Sequence, residues 1–456
     1  MLPASVLDRF IEKCPAAVMV RATLENLLRP ERLDEIFENA RERQYSRMLL
    51  FSELVALMTA VATRTQQSVR AAYLDAEQRL GVSLTAVYDK LKLLEPGISA
   101  SLIRQTAVDA AQVIDGLPGA CQQVLRGLDV YYLDGNHLAA TEHRLAELRT
   151  TREGPLPGQT LALMDAQREL IMELVPCEDG HAQERSLLPE LLRFIREQMV
   201  IVADRNFCTT KFLFGLAALS AYFIIRQHAS TLTWQPTGRR RCIGRSETGT
   251  VYEQPVELTS GDQTLHVRRI TILLDRPTED GDTEIHLLTN LTARQASAKK
   301  VAVVYRGRWT IESAFQTLTD VLRCEVETLG YPRAALFAFS AAVLAFNIYA
   351  VVRAALRSVH GSQKIDEELS DHHLTNDVVA KQPGMDIAVE PAVWERYQRL
   401  KPRQFSRELR SLARHVRLDR YPKKKRGPKK PQPPKRSGAR NHHITTARLL
   451  AAKRVE

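Results

Sequence analysis

The order of apolar runs between residues 127 and 228 constrains this chain more than any other feature. Three strand-like runs come first: GLDVYYLD (127–134), QTLALMD (159–165) and LIMELVPC (170–177). An amphipathic helical run, QERSLLPELLRFIREQ (183–198), leads to the short apolar strand MVIVAD (199–204). A helix-like KFLFGLAALS then precedes a fifth strand, AYFIIRQH (221–228). Three strands followed by helix, strand, helix, strand is an ordered α/β pattern. The first run ends in Asp134-Gly135-Asn136, which reads as a turn.

The flanks follow other rules. Residues 1–125 read as helix, with apolar positions at three- and four-residue spacing in SRMLLFSELVALMTAVATR and SLIRQTAVDAAQVIDGL. Between these runs Ser83 is placed to cap a helix after the Gly81-Val82 turn. That helix pair reads either as an ordinary hairpin or as a helix-turn-helix remnant. Residues 234–290 alternate apolar and polar positions between recurrent turn residues, so a small β-rich insertion is expected there. Helical periodicity returns over 291–360. Within it, Ala334 to Val352 is 19 residues without a charge. That is nearly long enough to cross a bilayer, but its alanines, Ser340 and Asn347 favour a buried core helix. After residue 360 a polar linker is expected.

Charge separates the tail from the body. The chain of 456 residues has 64 Lys and Arg against 53 Asp and Glu. Residues 401–456 hold 19 of those basic side chains and 3 of the acidic ones, leaving a mildly acidic body of 45 and 50. The distribution excludes a uniformly basic structural protein and points the tail at a polyanion. Lys423, Lys424, Lys425, Arg426, Lys429 and Lys430 stand among prolines in a segment that cannot bury a core and reads as disordered. They are candidates for sequence-independent contact with DNA phosphates. The six cysteines are widely scattered, which suits reduced thiols of a cytoplasmic protein better than a disulfide framework. The N-terminus is charged and has no signal-peptide core.

Three carboxylates could converge on one point. Asp134 and Asp204 end apolar strands, and the carboxyl ends of strands line the functional crevice of an open α/β sheet. Glu312 lies on the helix expected around VVYRGRWTIESAFQTL (303–318). Hard divalent cations take carboxylate oxygens as ligands. Each residue alone has an ordinary reading: Asp134 as a turn former, Asp204 as a helix cap, Glu312 on a solvated face. Asp165 also ends a strand, so strand-end position alone does not identify a catalytic group.

In combination, these motifs resemble the DDE transposases of the insertion-sequence-four (IS-four) family. That family's signature is Tyr, two residues, Arg, three residues, Glu, six residues, Lys. Tyr305, Arg308 and Glu312 stand at its spacing, and Trp309, Ile311 and Phe315 fit its local pattern. LDGN around Asp134 and ADRNF around Asp204 resemble the first and second acidic motifs, and HLLTNL (286–291) resembles the strand before the Glu helix. The resemblance covers about residues 85–350. It departs at Thr319, which occupies the place of the final Lys, a residue that contacts transposon-end DNA in the family.

The resemblance implies an RNase H-like core, a mixed five-stranded sheet with helices. Residues 126–233 and 291–360 would form it, interrupted by the β-rich insertion and preceded by an N-terminal helical, DNA-binding domain. It implies Asp134, Asp204 and Glu312 as catalytic metal ligands for two Mg²⁺ ions, replaceable by Mn²⁺. The implied reaction is DNA strand cleavage and transfer at the ends of a bacterial insertion sequence. The implied partners are terminal inverted repeats and target DNA, bound by a homodimer. A decayed or domesticated copy that only binds DNA is the alternative. Arg308 reads as an ion-pair partner of Glu312 or as a phosphate contact, and Tyr305 as a DNA contact or helix packing. Arg205 reads as a phosphate contact or a salt bridge. Trp309 is expected in the core, and Trp234 either stacks on a base or packs within the insertion.

Overall fold

The computed structural model describes residues 5–44, 48–228, 232–278, 281–424 and 442–453. Seven helices come first: α1 (Val6–Lys13), α2 (Pro15–Leu27), α3 (Pro30–Ala40), α4 (Phe51–Ala62), α5 (Val69–Leu80), α6 (Leu84–Leu93) and α7 (Pro96–Asp115). Their starts follow local chemistry. Ser68 and Ser83 accept backbone N–H groups at the heads of α5 and α6, and proline opens α2, α3 and α7. Gly81 closes α5 in the left-handed conformation that favours glycine.

The strands are β1 (Asp129–His137), β2 (Gly154–Leu156), β3 (Gln159–Asp165), β4 (Leu170–Cys177), β5 (Met199–Ala203) and β6 (Tyr222–Arg226). They continue with β7 (Trp234–Pro236), β8 (Arg241–Arg245), β9 (Gly249–Ser260), β10 (Gln263–Leu274) and β11 (Glu284–Thr289). The main sheet runs β4-β3-β1-β5-β6-β11-β10-β9-β7, with β8 also paired to β9. β1, β5 and β6 are parallel, and the remaining pairs are antiparallel. The directly connected β3 and β4 pair as a hairpin, whereas helical crossovers lead into the parallel strands, as chain geometry requires. The insertion strands do not form a sheet of their own, because β11 pairs with β6 and extends the main sheet.

Two expectations fail in this region. The turn expected at Gly135-Asn136 is strand, since Gly135 pairs with Leu161 and Asn136 with Thr160. The amphipathic helix expected over 183–198 is broken into two short 3₁₀ turns around the four-residue α8 (Leu188–Leu191), which has Pro189 in its first turn. α9 (Thr210–Ala218) covers one face of the sheet, packing Phe212, Leu213 and Leu216 with Ile201 and Phe223. α10 (Ala298–Arg306) and α11 (Trp309–Asp320) lie on the other face, where Val301 and Ile311 join the larger core with Val202 and Leu287.

α12 (Pro332–His360) is long and apolar enough to cross a membrane by length and composition, but its apolar window is entirely buried inside the protein. It packs against α2, α4, α6 and α7 and against β4. Each fully buried Leu, Val or Phe there contributes roughly 1.5–3 kcal/mol of transfer free energy. Its polar Asn347 is satisfied by the edge strand β4: Ile171 N–H donates to Asn347 Oδ1 and Asn347 Nδ2 donates to the Ile171 carbonyl, both at 2.9 Å. The helix thus caps an otherwise open sheet edge.

The polar linker expected after residue 360 is instead helical: α13 (Ser362–Glu368), α14 (Asp371–Ala388), α15 (Pro391–Gln398) and α16 (Pro402–Ala413). Their burial comes from distant partners. Asn26 on α2 donates to the Tyr397 and Leu400 carbonyls at 2.7 and 3.0 Å, and Ser406 donates to the Val113 carbonyl at 2.6 Å. The last elements, β12 (His443–Thr445) and α17 (Thr446–Ala452), return to the α/β region, where β12 pairs with β2. Lys425, Arg426, Lys429 and Lys430 lie outside the described residues, as does most of the segment expected to be disordered.

Candidate active site

β1 and β5 are parallel and in register, with Leu133 opposite Ala203. The next residue of each is Asp134 and Asp204, so two carboxylates emerge together at the carboxyl edge of the sheet. Asp134 stays within β1 and accepts the Gly135 N–H at 3.0 Å. Asp204 accepts the Asn206 N–H at 2.7 Å and caps a single 3₁₀ turn, Arg205–Phe207, which is its ordinary role. Gly307 sets the height of the third carboxylate. A Cβ there would lie 2.2 Å from the Tyr132 hydroxyl, so its absence lets the α10–α11 junction sit directly on β1.

Arg308 follows Gly307 and joins the first and third carboxylates. Its guanidinium lies 3.0 Å from Asp134 Oδ2 and 2.6 Å from Glu312 Oε1. The arginine is buried, and its Nε–H has no hydrogen-bond partner among the described residues. Burial pushes the Asp134 carboxyl up to about 7. Arg308 and the Gly135 N–H oppose that shift, while the charges of Asp204 and Glu312 add to it. Among the described residues Arg308 thus pairs with two carboxylates at once, Asp134 and Glu312.

The other expected residues divide. Tyr305 is buried beneath the site, where burial raises its hydroxyl and the charges of Arg308 and Asp204 both reach it. Arg205 lies 3.9 Å from Asp282, whose stronger partner is Arg226 at 2.6 Å, so a salt bridge is present. Trp309 is not in the core: it is 62% exposed, because α11 turns that side to solvent, and Arg308 lies 5.8 Å from its ring centroid. Lys423 is exposed and donates to the Asp366 carbonyl at 2.9 Å, and Lys424 is exposed too. Both stand beside α13 rather than at the carboxylates. Thr319 donates to the Phe315 carbonyl at 3.2 Å within its own helix.

Glu184 was not singled out from the sequence. Its Oε2 accepts from Asn206 Nδ2 at 2.5 Å, and its Oε1 lies 3.8 Å from His137 Nε2. A Cβ on Gly135 would lie 2.0 Å from Glu184 Oε1. Glu184 therefore braces the strand bearing Asp134 against the loop bearing Asp204. The available signal was Gly135 itself, since glycine inside a strand marks a close approach by another group.

Oxygen donors of this kind suit a hard divalent cation. Among the described residues, however, no group of three or more His, Cys, Asp or Glu side chains is gathered closely enough to hold an ion. Arg308 provides the positive charge in this structure. Asp165, the other strand-end aspartate, has a purely local role: it accepts the Gln167 and Arg168 N–H groups and pairs with Arg168 at 2.7 Å.

No curated protein matches the chain. Residues 131–348 match the family described as the transposase DDE domain, from Tyr131 on β1 to Ile348 on α12. The matched span includes Asp134, Asp204 and Glu312, and this similarity supports a DDE transposase.

Proposed function

We propose that the protein is a transposase of the IS-four type, with Tyr305, Arg308 and Glu312 as its signature, that cuts and joins DNA at the ends of a bacterial insertion sequence. The observation that supports this most is the emergence of Asp134 and Asp204 side by side at the carboxyl edge of a mixed sheet, with Arg308 bridging Asp134 to Glu312. The strand order β4-β3-β1-β5-β6 within the ten-stranded sheet supports reading an RNase H-like core, with the insertion strands between β6 and α10. Asp134, Asp204 and Glu312 would hold Mg²⁺, with Mn²⁺ as a substitute. When bound, two such ions supply activation of the attacking oxygen and stabilisation of the leaving one.

The chain's own residues have separate tasks. Glu184 and Asn206 fix the two aspartates relative to each other. Arg308 holds Glu312 toward Asp134, and its unpartnered Nε–H offers a donor to a phosphate oxygen. Lys423 and Lys424, with Lys425, Arg426, Lys429 and Lys430, tether DNA without sequence preference. The substrates are the terminal inverted repeats and target DNA, engaged by a homodimer in the cytoplasm at the nucleoid.

A second reading, a decayed or domesticated DNA-binding protein, is favoured by Thr319, whose hydroxyl is satisfied inside α11 where the family has a DNA-contacting lysine. One assay separates the two: cleavage of DNA bearing the repeats that flank the gene, with Mg²⁺ and with EDTA. Mg²⁺-dependent nicking that disappears in Glu312→Gln, with DNA binding retained, supports the transposase. Binding without cutting supports the second reading, and cutting that persists in Glu312→Gln overturns the site assignment.

A further inference from the structure

The helix that carries Glu312 is anchored unequally along its length. Its head sits on β1 through Gly307, and Ile311, Ala314 and Leu318 form one buried stripe. The flank of Thr310, Ser313 and Thr317 borders a cleft of about 410 Å³, closed on the far side by Phe346 and Arg353 of α12 and Asp366 of α13. Packing on one side and open space on the other give α11 room to swing about its head. From Gly307, Glu312 is five residues along and Asp320 thirteen, about 8 and 20 Å at the helical rise. A swing of about 2 Å at the far end would therefore move Glu312 by roughly 0.8 Å. Misplacing a reacting group by about 1 Å can cost about a hundredfold in rate.

The far end is held from the N-terminal helices. α4 packs against α12, and the loop 63–68 leads from α4 into α5. From that loop Arg64 Nη2 donates to the Asp320 and Leu322 carbonyls at 3.1 and 3.2 Å, at and just beyond the last turn of α11. The end of a helix leaves such carbonyls without intrahelical partners, and a cation there also meets the negative end of the helix dipole. In return the Arg323 N–H donates to the Ala62 carbonyl at 2.8 Å, and the Arg323 guanidinium donates to the Gln67 carbonyl. The loop is itself braced. Thr65 Oγ1 and the Gln66 N–H both donate to the Ala60 carbonyl, at 2.9 and 3.0 Å, and Thr63 Oγ1 donates to the Thr59 carbonyl at 2.8 Å. Arg64 has a φ of +63°, a left-handed conformation that a residue with a Cβ adopts only when its surroundings impose it.

We propose that Arg64 is a positioning residue for Glu312: the α4–α5 loop clasps the C-terminal turn of α11, stops that helix swinging into the cleft, and so fixes Glu312 against Asp134. Arg308 sets the same pair from the head of the helix, and Arg64 sets it from the tail. The proposal rests on the transposase reading and adds to it a part for the N-terminal helices in assembling the carboxylates.

The test compares Arg64→Gly with Arg64→Lys in the full chain. Glycine removes the guanidinium but suits the left-handed backbone, so the melting temperature should not fall. Lysine keeps a donor. Arg64→Asn, which also tolerates that backbone, takes the place of the glycine variant should that one misfold. With saturating DNA bearing the flanking repeats, Arg64→Gly should cut about 10–100-fold more slowly at an unchanged DNA dissociation constant. Arg64→Lys should recover most of the rate. Mn²⁺ affinity should fall about tenfold in Arg64→Gly, and should fall no further when Arg64→Gly is added to Glu312→Gln, because the group being positioned is already gone. Undiminished cutting by Arg64→Gly, a loss confined to DNA affinity, or additive losses of Mn²⁺ affinity in the double variant would each overturn the inference and leave the transposase reading intact. The Mn²⁺ comparison decides alone if the unaltered chain binds the ion without cutting. Absence of both cutting and Mn²⁺ binding in the unaltered chain overturns both.

Discussion

Two ion-pair networks flank the sheet, and they treat their carboxylates in opposite ways. In the first, Glu169 lies 2.8 Å from Arg357 and 3.5 Å from Arg353, which also reach Asp366 at 2.6 Å and Asp371 at 3.2 Å. Burial raises the Glu169 carboxyl, yet the two arginines outweigh it and hold it below the ordinary range. In the second, Arg308 is the ion-pair partner of both Asp134 and Glu312 among the described residues, and burial pushes Asp134 up to about 7. The first network satisfies itself and ties β4 and α12 to α13. The second leaves Asp134 above the ordinary carboxylate range, which fits the cation site proposed above.

The largest way to break this contrast is to remove one charged group from each network. Glu312→Gln should lower strand cleavage by a thousandfold or more, on the order seen when catalytic groups are removed, while leaving the melting temperature nearly unchanged. Arg357→Met should do the reverse. It leaves Glu169 with Arg353 alone and removes Arg357 from Asp366, and should cost about 1–3 kcal/mol of stability in a denaturant titration, below the figure for a fully buried pair because Asp366 is half exposed. Cleavage per folded molecule should be retained.

Glu184 sharpens the comparison at intermediate scale. Glu184→Ala should lower cleavage and Mn²⁺ affinity by roughly 10–100-fold, as for other residues that orient metal ligands. Glu184→Gln keeps an acceptor for Asn206 Nδ2 and should recover most of both. A smaller effect follows from pH. Because the folded Asp134 carboxyl lies well above its unfolded value of 3.8, the folded state holds a proton that the unfolded chain has released. The corresponding stability is present below about 4 and is lost as pH rises through about 7. Metal-free protein should therefore lose stability across that window, and Asp134→Asn should flatten the profile.

The sequence was most legible where neighbours in the chain decide structure. β3 and β4 occupy the expected spans because turn residues bound short apolar runs, and Ser83 caps α6 through its own third neighbour. It was least legible where the deciding partner is distant. Gly135 reads as a turn until Glu184, far along the chain, is seen against it. Residues 361–413 look like a polar linker because their apolar positions are sparse, and α2, α7 and α12 supply the surfaces that bury Tyr397, Phe405 and Leu409. Trp309 is expected in the core because it points away from the face of Arg308 and Glu312, but α11 turns that side to solvent. At the site, the register of β1 with β5 is what makes Asp134 and Asp204 a pair and leaves Asp165, at the opposite edge, with a local partner.

The proposed cation site of Asp134, Asp204 and Glu312 is tested most directly by Mn²⁺ titration followed by electron paramagnetic resonance at about pH 8. Saturable binding is expected, weakening about tenfold per pH unit below about 7 as the ion competes with the Asp134 proton. Binding should disappear in Asp134→Asn and persist in Glu169→Gln. Undiminished binding in Asp134→Asn, or equal loss in Glu169→Gln, would contradict a shared site.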